Sequence, residues 1–231
     1  MRLDKFLSTA GYSRKEAVEL IKKGNVCVNN EITKQKEKNI NENSDKISVN
    51  NREITFIQNY YLMLNKPQGV VSATQDAVET TVIDILPENL KNVGLFMVGR
   101  LDKETEGLLI LTTDGELCHK LTSPKHEKEK VYYFELTDQI GQTDINKIQQ
   151  GITLKDGFTT KPCKIELKTN TTGEISITEG KYHQVRRMFG AVGNKVIYLK
   201  RIKENGLELD KNLKLGECRF LTQTEIETLK Q

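Results

Sequence analysis

One carboxylate is placed for chemistry in Val98–Gly115, which reads V-G-R-L-D-K-E-T-E-G-L-L-I-L-T-T-D-G. The charged turn of Arg100, Asp102, Lys103, Glu104 and Glu106 runs directly into the apolar stretch Leu108–Leu111. Gly99 and Gly107 bracket it, and glycine accepts φ > 0 and close backbone approach. Four apolar residues flanked by Gly and Thr spell a short buried strand. Asp102 then lies in a loop at the edge of a rigid sheet, where a catalytic carboxylate is usefully held. Spacing alone also permits a plainer role, because Asp-x-x-Thr after glycine makes an Asx-turn or a helix cap. The tetrapeptide Arg-Leu-Asp-Lys recurs at Arg2–Lys5 and carries no meaning by itself.

Two other segments hold reactive or ligand-binding types. Lys130-Val131-Tyr132 opens a strand with a cation and an aromatic two apart, hence on one face. Such a pair offers a stacking platform for a base, or simply a half-buried strand tyrosine. Glu179–Phe189 gathers Lys181, Arg186 and Arg187 beside Tyr182 and His183, after Gly180. As a helix it places Val185 with Phe189, and Tyr182 with Arg186, on shared faces. One arginine can then point inward to a carboxylate while its neighbour reaches phosphate. His183 reads as an RNA contact at most.

The elements that must position these groups divide the chain in two. In residues 1–60, Leu3, Phe6 and Leu7 recur at helical spacing, and Gly11 stops that helix. Ser13 caps a second helix, with Glu16 completing a capping box. Lys22-Lys23-Gly24 is a basic, glycine-terminated end. Val26-Cys27-Val28 alternates before an Asn29-Asn30 hairpin turn. This quarter holds 11 Lys/Arg against 8 Asp/Glu, whereas the rest of the chain balances. The surplus suits a phosphate-binding module built on Arg2, Arg14, Lys15, Lys22 and Lys23.

Residues 61–231 mix strands and helices without a βαβ rhythm. We expect strands at Tyr61–Leu64, Val131–Leu136, Ile165–Lys168, Gly173–Thr178 and beyond Val196. Helices are expected at Val82–Leu86, from Asp114 to Leu121, at Asp144–Gly151, over Tyr182–Ala191 and after Thr222, and a charged loop at Lys125–Lys130. The class is α+β with a mixed, mainly antiparallel sheet.

The chain has 231 residues and a formal charge of +3. Its four cysteines are far apart and lack C-x-x-C spacing, so no metal site is expected, and they read as reduced thiols of a cytosolic protein. No apolar run approaches membrane-spanning length.

Residues 1–60 resemble the αL RNA-binding motif of a small-subunit ribosomal protein, on Arg2-Leu3-Asp4-Lys5, Ser13-Arg14, Ala17, Ile21, Gly24 and Val26-x-Val28-Asn29. Asn30 stands where that motif usually has glycine. The second unit resembles the ribosomal RNA pseudouridine synthases, in the branch that modifies small-subunit (16S) rRNA. The matching residues are Lys66-Pro-x-Gly69, the whole of Gly99–Gly115, Lys130-x-Tyr132, Glu179–Phe189, and Leu213-x-x-Gly216-Glu217-x-Arg219-x-Leu221-Thr222. The resemblance implies the pseudouridine synthase fold, with Asp102 as nucleophile, Tyr132 as stacking aromatic, Arg186 as the carboxylate's partner and Leu199 against the flipped base. It further implies substrate contacts from Arg100, Lys130, Lys181 and Arg187, and RNA docking through Arg2, Ser13, Arg14, Lys15, Lys22 and Lys23.

The implied reaction detaches uracil from C1′, rotates it and rejoins it through C5. No atom is gained or lost, so no cofactor is expected, and no P-loop or dinucleotide fingerprint is present. The uridine must leave the stack to be reached. Asp102 would attack the ribose carbon or abstract a ribose proton to give a glycal, with Arg186 opposing the effect of burial on its ionisation. The implied partner is ribosomal RNA, within a small-subunit assembly intermediate in the cytoplasm, met by a monomeric protein with no membrane contact. Rival readings are the same chemistry on 23S rRNA and a non-catalytic ribosome-associated RNA-binding protein.

Overall fold

The computed structural model describes residues 1–123 and 128–231. Pro124 and the first half of the expected charged loop Lys125–Lys130, residues 125–127, lie outside the described residues.

The N-terminal unit begins with helices α1 (Leu3–Thr9) and α2 (Arg14–Lys22). Four short strands follow, β1 (Val26–Val28), β2 (Glu31–Ile32), β3 (Ile47–Val49) and β4 (Arg52–Ile54), in the antiparallel order β2-β1-β3-β4. The expected capping box is present: Ser13 accepts from Glu16 N, and Glu16 accepts from Ser13 N. Such a cap is worth ~1 kcal/mol. The turn residues Asn29 and Asn30 have φ of 53° and 68°, and Asn50-Asn51 repeats the device at 49° and 64°. Leu3, Phe6, Leu7, Ile21, Val26 and Ile47 close a separate small core.

Among the described residues, a nine-stranded sheet organises the second unit. Its strands are β5 (Tyr61–Lys66), β6 (Phe96–Val98), β7 (Glu106–Thr112), β8 (Lys130–Leu136), β9 (Lys164–Leu167), β10 (Thr172–Ile177), β11 (Val196–Glu204), β12 (Leu207–Glu208) and β13 (Cys218–Phe220). The order is β13-β5-β7-β11-β8-β10-β9, with β6 beside β7 and β12 beside β11. Of these strand pairings only β7–β11 is parallel, so the sheet is mixed and mainly antiparallel, as expected.

The apolar runs of β5 and β7 are continuous because both faces are covered. Leu62, Leu64, Leu109 and Leu111 enter the main core, while Met63, Leu108 and Ile110 enter a second cluster with Leu117 and Leu121. Burying each such side chain contributes about 1.5–3 kcal/mol. The second cluster is closed by α4 (Gly115–Thr122) and α7 (Gln223–Lys230), capped at Asp114 and Thr222. Helix α5 (Gln142–Gln150) supplies Ile145 and Ile148 to the main core.

Two expected helices are corrected. Residues 82–86 form turns rather than a helix. The Asp84 carboxylate accepts from Thr81 N and Oγ1, each at 2.8 Å, which closes one tight turn. Pro87 then starts helix α3 (Glu88–Lys91) instead of ending one, in keeping with proline's preset φ at helix starts. The expected helix from Tyr182 begins later, as α6 (Gln184–Ala191), because His183 is left-handed at φ 49°. Tyr182 and Arg186 therefore share no helical face.

The two units touch beside α1 and α3. Tyr60, last residue of the first stretch, buries its ring in the main core of the second unit, and its Oη donates to Thr9 O of α1 at 3.0 Å. Gly11, at φ +99°, lies so close to Asn89 that an added Cβ would sit 2.2 Å from its carbonyl oxygen.

Candidate active site

Asp102 lies in the loop between the antiparallel pair β6 and β7, whose register sets Val98 opposite Ile110. The loop's backbone is held from the β5 side. Lys66 ends β5 with no exposed surface, and its Nζ donates to the carbonyls of Pro67, Asp102, Lys103 and Thr105 at 2.9, 3.2, 3.3 and 3.0 Å. Burial pulls its pKa down to about 8, against the opposing carboxylates of Asp102, Glu104 and Glu106. Ser72 Oγ donates to Leu101 O at 2.8 Å and accepts from Leu101 N at 3.1 Å. Gly69 N donates to Lys103 O. Downstream, Gly107 (φ +102°) lets β7 meet β11: an added Cβ would stand 2.2 Å from Arg201 O.

The Asp102 side chain is partly exposed, and its Oδ1 lies 3.7 Å from His183 Nε2. Both line a cavity of about 510 Å³ with Tyr132, Leu199, Lys181 and Arg100. Tyr132 is 8% exposed, and burial raises its pKa. Leu199 is buried opposite Phe134 of β8. The cavity thus combines a carboxylate, an aromatic wall, an apolar floor and a cationic rim, which is a fit for a flat base carrying an anionic backbone. Thr105 also lines it, and its buried hydroxyl has no hydrogen-bond partner among the described residues.

Arg186 is not on the carboxylate. Its guanidinium donates to Val196 O and Glu104 O, both at 3.0 Å, and makes no ion pair with Asp102. With the helix starting only at Gln184, Arg186 spans from α6 to the backbone at the start of β11 and of β7. Arg187, expected on phosphate, is ion-paired to Asp156 at 2.5 Å and donates to Tyr182 O. Lys130 shares a cavity wall with Tyr132, as the two-residue spacing requires. Its Nζ donates to Lys128 O, and burial lowers its pKa.

Three groups take on roles that their spacing does not indicate. Lys66, part of the matched Lys66-Pro-x-Gly69, clamps the Asp102 loop, whereas in the sequence it is only a cation ending an apolar strand before proline. His183 stacks on the exposed Tyr182 ring at 3.9 Å. Arg201 and Glu204, 1% and 3% exposed, form an ion pair at 3.1 Å behind Tyr132. A bulge between Arg201 and Lys203 turns both onto one face, where strict alternation would separate residues three apart.

In the N-terminal unit Arg2, Arg14, Lys15, Lys22 and Lys23 are all exposed. Arg2, Ser13 and Arg14 line one groove, whereas Lys15, Lys22 and Lys23 do not. Ser13 is occupied by its capping box, Arg2 by Asp4 at 2.6 Å, and Lys23 by Glu19 at 2.7 Å. A larger cavity of about 940 Å³ includes Tyr133, Tyr198, Glu135 and Lys200 but none of the expected catalytic groups. Alternation along β8 separates Tyr133 from Tyr132. Among the described residues no helix is long and apolar enough to cross a membrane, and no three metal-ligating side chains gather.

A small helix-and-hairpin unit thus stands ahead of a mixed sheet with a loop aspartate in its cleft. A family model described as RNA pseudouridylate synthase matches residues 60–191, and one described as S4 domain matches residues 1–47. A Bacillus subtilis protein named as an uncharacterised RNA pseudouridine synthase, YtzG, is 43% identical over all of this chain and 99% of its own length. Relatives named ribosomal small subunit pseudouridine synthase A are 41% identical in Vibrio cholerae and 38% in Escherichia coli, each over 99% of this chain and at least 99% of their own. A crystal structure described as a pseudouridylate synthase superposes with a TM-score of 0.71 at 40% identity, covering 99% of both chains. The chain belongs to the RNA pseudouridine synthase family and carries an N-terminal S4 domain.

Proposed function

We propose that this enzyme isomerises one uridine of 16S ribosomal RNA, with Asp102 as the reacting carboxylate. The observation that carries the reading is the grouping of Asp102, Tyr132 and Leu199 around one cavity. Full-length similarity to relatives named for the small subunit supports the choice of RNA.

The target base leaves the stack and enters the cavity, as access to its glycosidic bond demands. Asp102 attacks C1′ or removes a ribose proton, and the N1–C1′ bond breaks. Tyr132 and Leu199 hold the detached uracil between an aromatic and an apolar surface while it turns. The C5–C1′ bond forms as the Asp102–C1′ bond breaks or the ribose proton returns from Asp102, the C5 proton goes to solvent and N1 takes one up. Arg100, Lys130 and Lys181 contact the RNA backbone. Arg186 holds the loop through the Glu104 carbonyl rather than the carboxylate. Residues 1–60 dock on neighbouring rRNA of a small-subunit assembly intermediate, through Arg2, Arg14, Lys15, Lys22 and Lys23, and residues 61–231 catalyse as a monomer in the cytoplasm.

Asp102→Asn removes the charge at constant size. Release of tritium from 5-tritiated uridine in rRNA should fall by at least about 10³-fold. Equal activity of the two forms would remove Asp102 from the chemistry. Pseudouridine mapped in both rRNAs of a deletion strain should show one site missing from 16S, and a loss confined to 23S would reject the target.

A further inference from the structure

The Asp102 cavity continues past Tyr132. A second cavity of about 430 Å³ adjoins it, and Arg100, Tyr132, Gly180 and Lys181 line both. Its further wall includes Phe158, Lys128 and Lys130, with Arg201 and Glu204 at its base. That volume falls within the ~300–1,000 Å³ of small-molecule sites.

Among the described residues, cations outnumber carboxylates on this wall. Glu204 is committed to Arg201 at 3.1 Å. Glu179 Oε1 accepts from Lys161 N at 2.9 Å and Gln184 Nε2 at 2.6 Å. Arg100, Lys128, Lys130 and Lys181 form no ion pair among the described residues. Arg201 Nη2 and Glu204 Oε2 face each other without hydrogen-bond geometry, so both buried atoms keep unfilled capacity. Phe158 is held in place by its hairpin, through Leu154 N to Phe158 O at 2.8 Å and Phe158 N to Asp156 Oδ1 at 3.2 Å. Asp156 is in turn clamped by Arg187 of α6.

We propose that this second cavity receives the nucleotide adjacent to the target uridine, with its base on Phe158 and the joining phosphate between Arg100 and Lys181. The two cations shared by both cavities stand where a phosphodiester linking the two nucleotides must pass. Lys181 Nζ now lies 5.1 Å from the Phe158 ring centroid. An entering base takes that place, and the ammonium swings to the phosphate. Arg187 thereby becomes a positioning residue for the Phe158 wall. This inference rests on reading the Asp102 cavity as the uridine site.

The test uses the full-length enzyme and synthetic RNA oligonucleotides carrying the mapped uridine, either intact or abasic at one neighbouring position. With wild type, one of the two abasic RNAs should lose roughly tenfold in kcat/KM, mainly through KM, as loss of one base–aromatic stack predicts. Phe158→Leu keeps the apolar packing and loses the ring. It should show a similar loss on intact RNA and little further loss on that abasic RNA. Independent, multiplying losses at both neighbours, or no loss at either in wild type, would overturn the proposal. Absence of pseudouridine formation by wild type both on intact RNA and on small-subunit assembly intermediates would instead refute the uridine-site reading beneath it.

Discussion

The basic N-terminal unit and the Asp102 cleft hold their charged groups with opposite physics. In the first, charges stand in water. Lys23 and Glu19 are 63% and 54% exposed in their ion pair, and Arg2 is 51% exposed beside Asp4. Such pairs are worth about 0–1 kcal/mol and are screened by salt. In the cleft, polar groups are buried and their geometry is fixed by named partners, above all the Lys66 ammonium among four carbonyls. Leaving one such group unpaired costs about 1–3 kcal/mol. Charges on the N-terminal face are therefore additive and replaceable, while the cleft depends on each support.

The sharpest way to break that contrast is Lys66→Met. Several loop carbonyls lose their donor, so stability should drop by about 3 kcal/mol and activity should fall by at least about 100-fold as Asp102 shifts. Urea unfolding and tritium release measure the two. The lysine also makes a pH prediction. Its folded pKa of about 8 lies below the ordinary lysine value of 10.5. Between these values the unfolded chain binds more protons, so the Lys66 contribution to stability rises with pH across that window and is flat below it. The stability difference between wild type and Lys66→Met, followed upward through that window, should increase. A decrease would mean that the ammonium is stabilised rather than penalised by its burial.

A smaller effect is expected at His183. Its left-handed backbone strains a non-glycine residue, so His183→Gly should leave stability unchanged or raise it by up to ~1 kcal/mol. Removing the ring beside Asp102 should nevertheless lower kcat/KM. Unchanged kinetics would limit His183 to shaping the entry to α6.

The smallest effect tests the docking face. Arg14→Gln with Lys15→Gln should leave unfolding within about ±0.5 kcal/mol. RNA affinity should fall several-fold, with the salt slope reduced by about 0.7–0.9 for each phosphate the variant no longer neutralises. An unchanged slope would take both residues off the RNA.

Much of the fold was readable because it is local. The Ser13–Glu16 and Thr222–Glu225 capping boxes, the Asp114 cap and the Asn29-Asn30 turn each depend on residues within three positions. The strand after Asp102 announced itself by an apolar run bounded by Gly and Thr. The helix expected at Val82–Leu86 failed for an equally local reason, since Thr81 and Asp84 closed a turn on themselves.

The sequence by itself determined that a carboxylate stands in a glycine-bracketed turn ahead of a buried strand, with cations and aromatics elsewhere to serve it. Which of those groups reach Asp102 was decided by sheet order. Pairing β5 with β7 brings Lys66 to carbonyls 36 to 39 positions away. The antiparallel β8–β11 pairing, with its bulge beyond Arg201, sets the Arg201–Glu204 pair behind Tyr132. The left-handed His183 delays α6, leaving Arg186 on the Glu104 carbonyl 82 positions away and His183 beside the carboxylate. Periodicity reports which face a side chain takes; it carries no information about which strand will lie next to it.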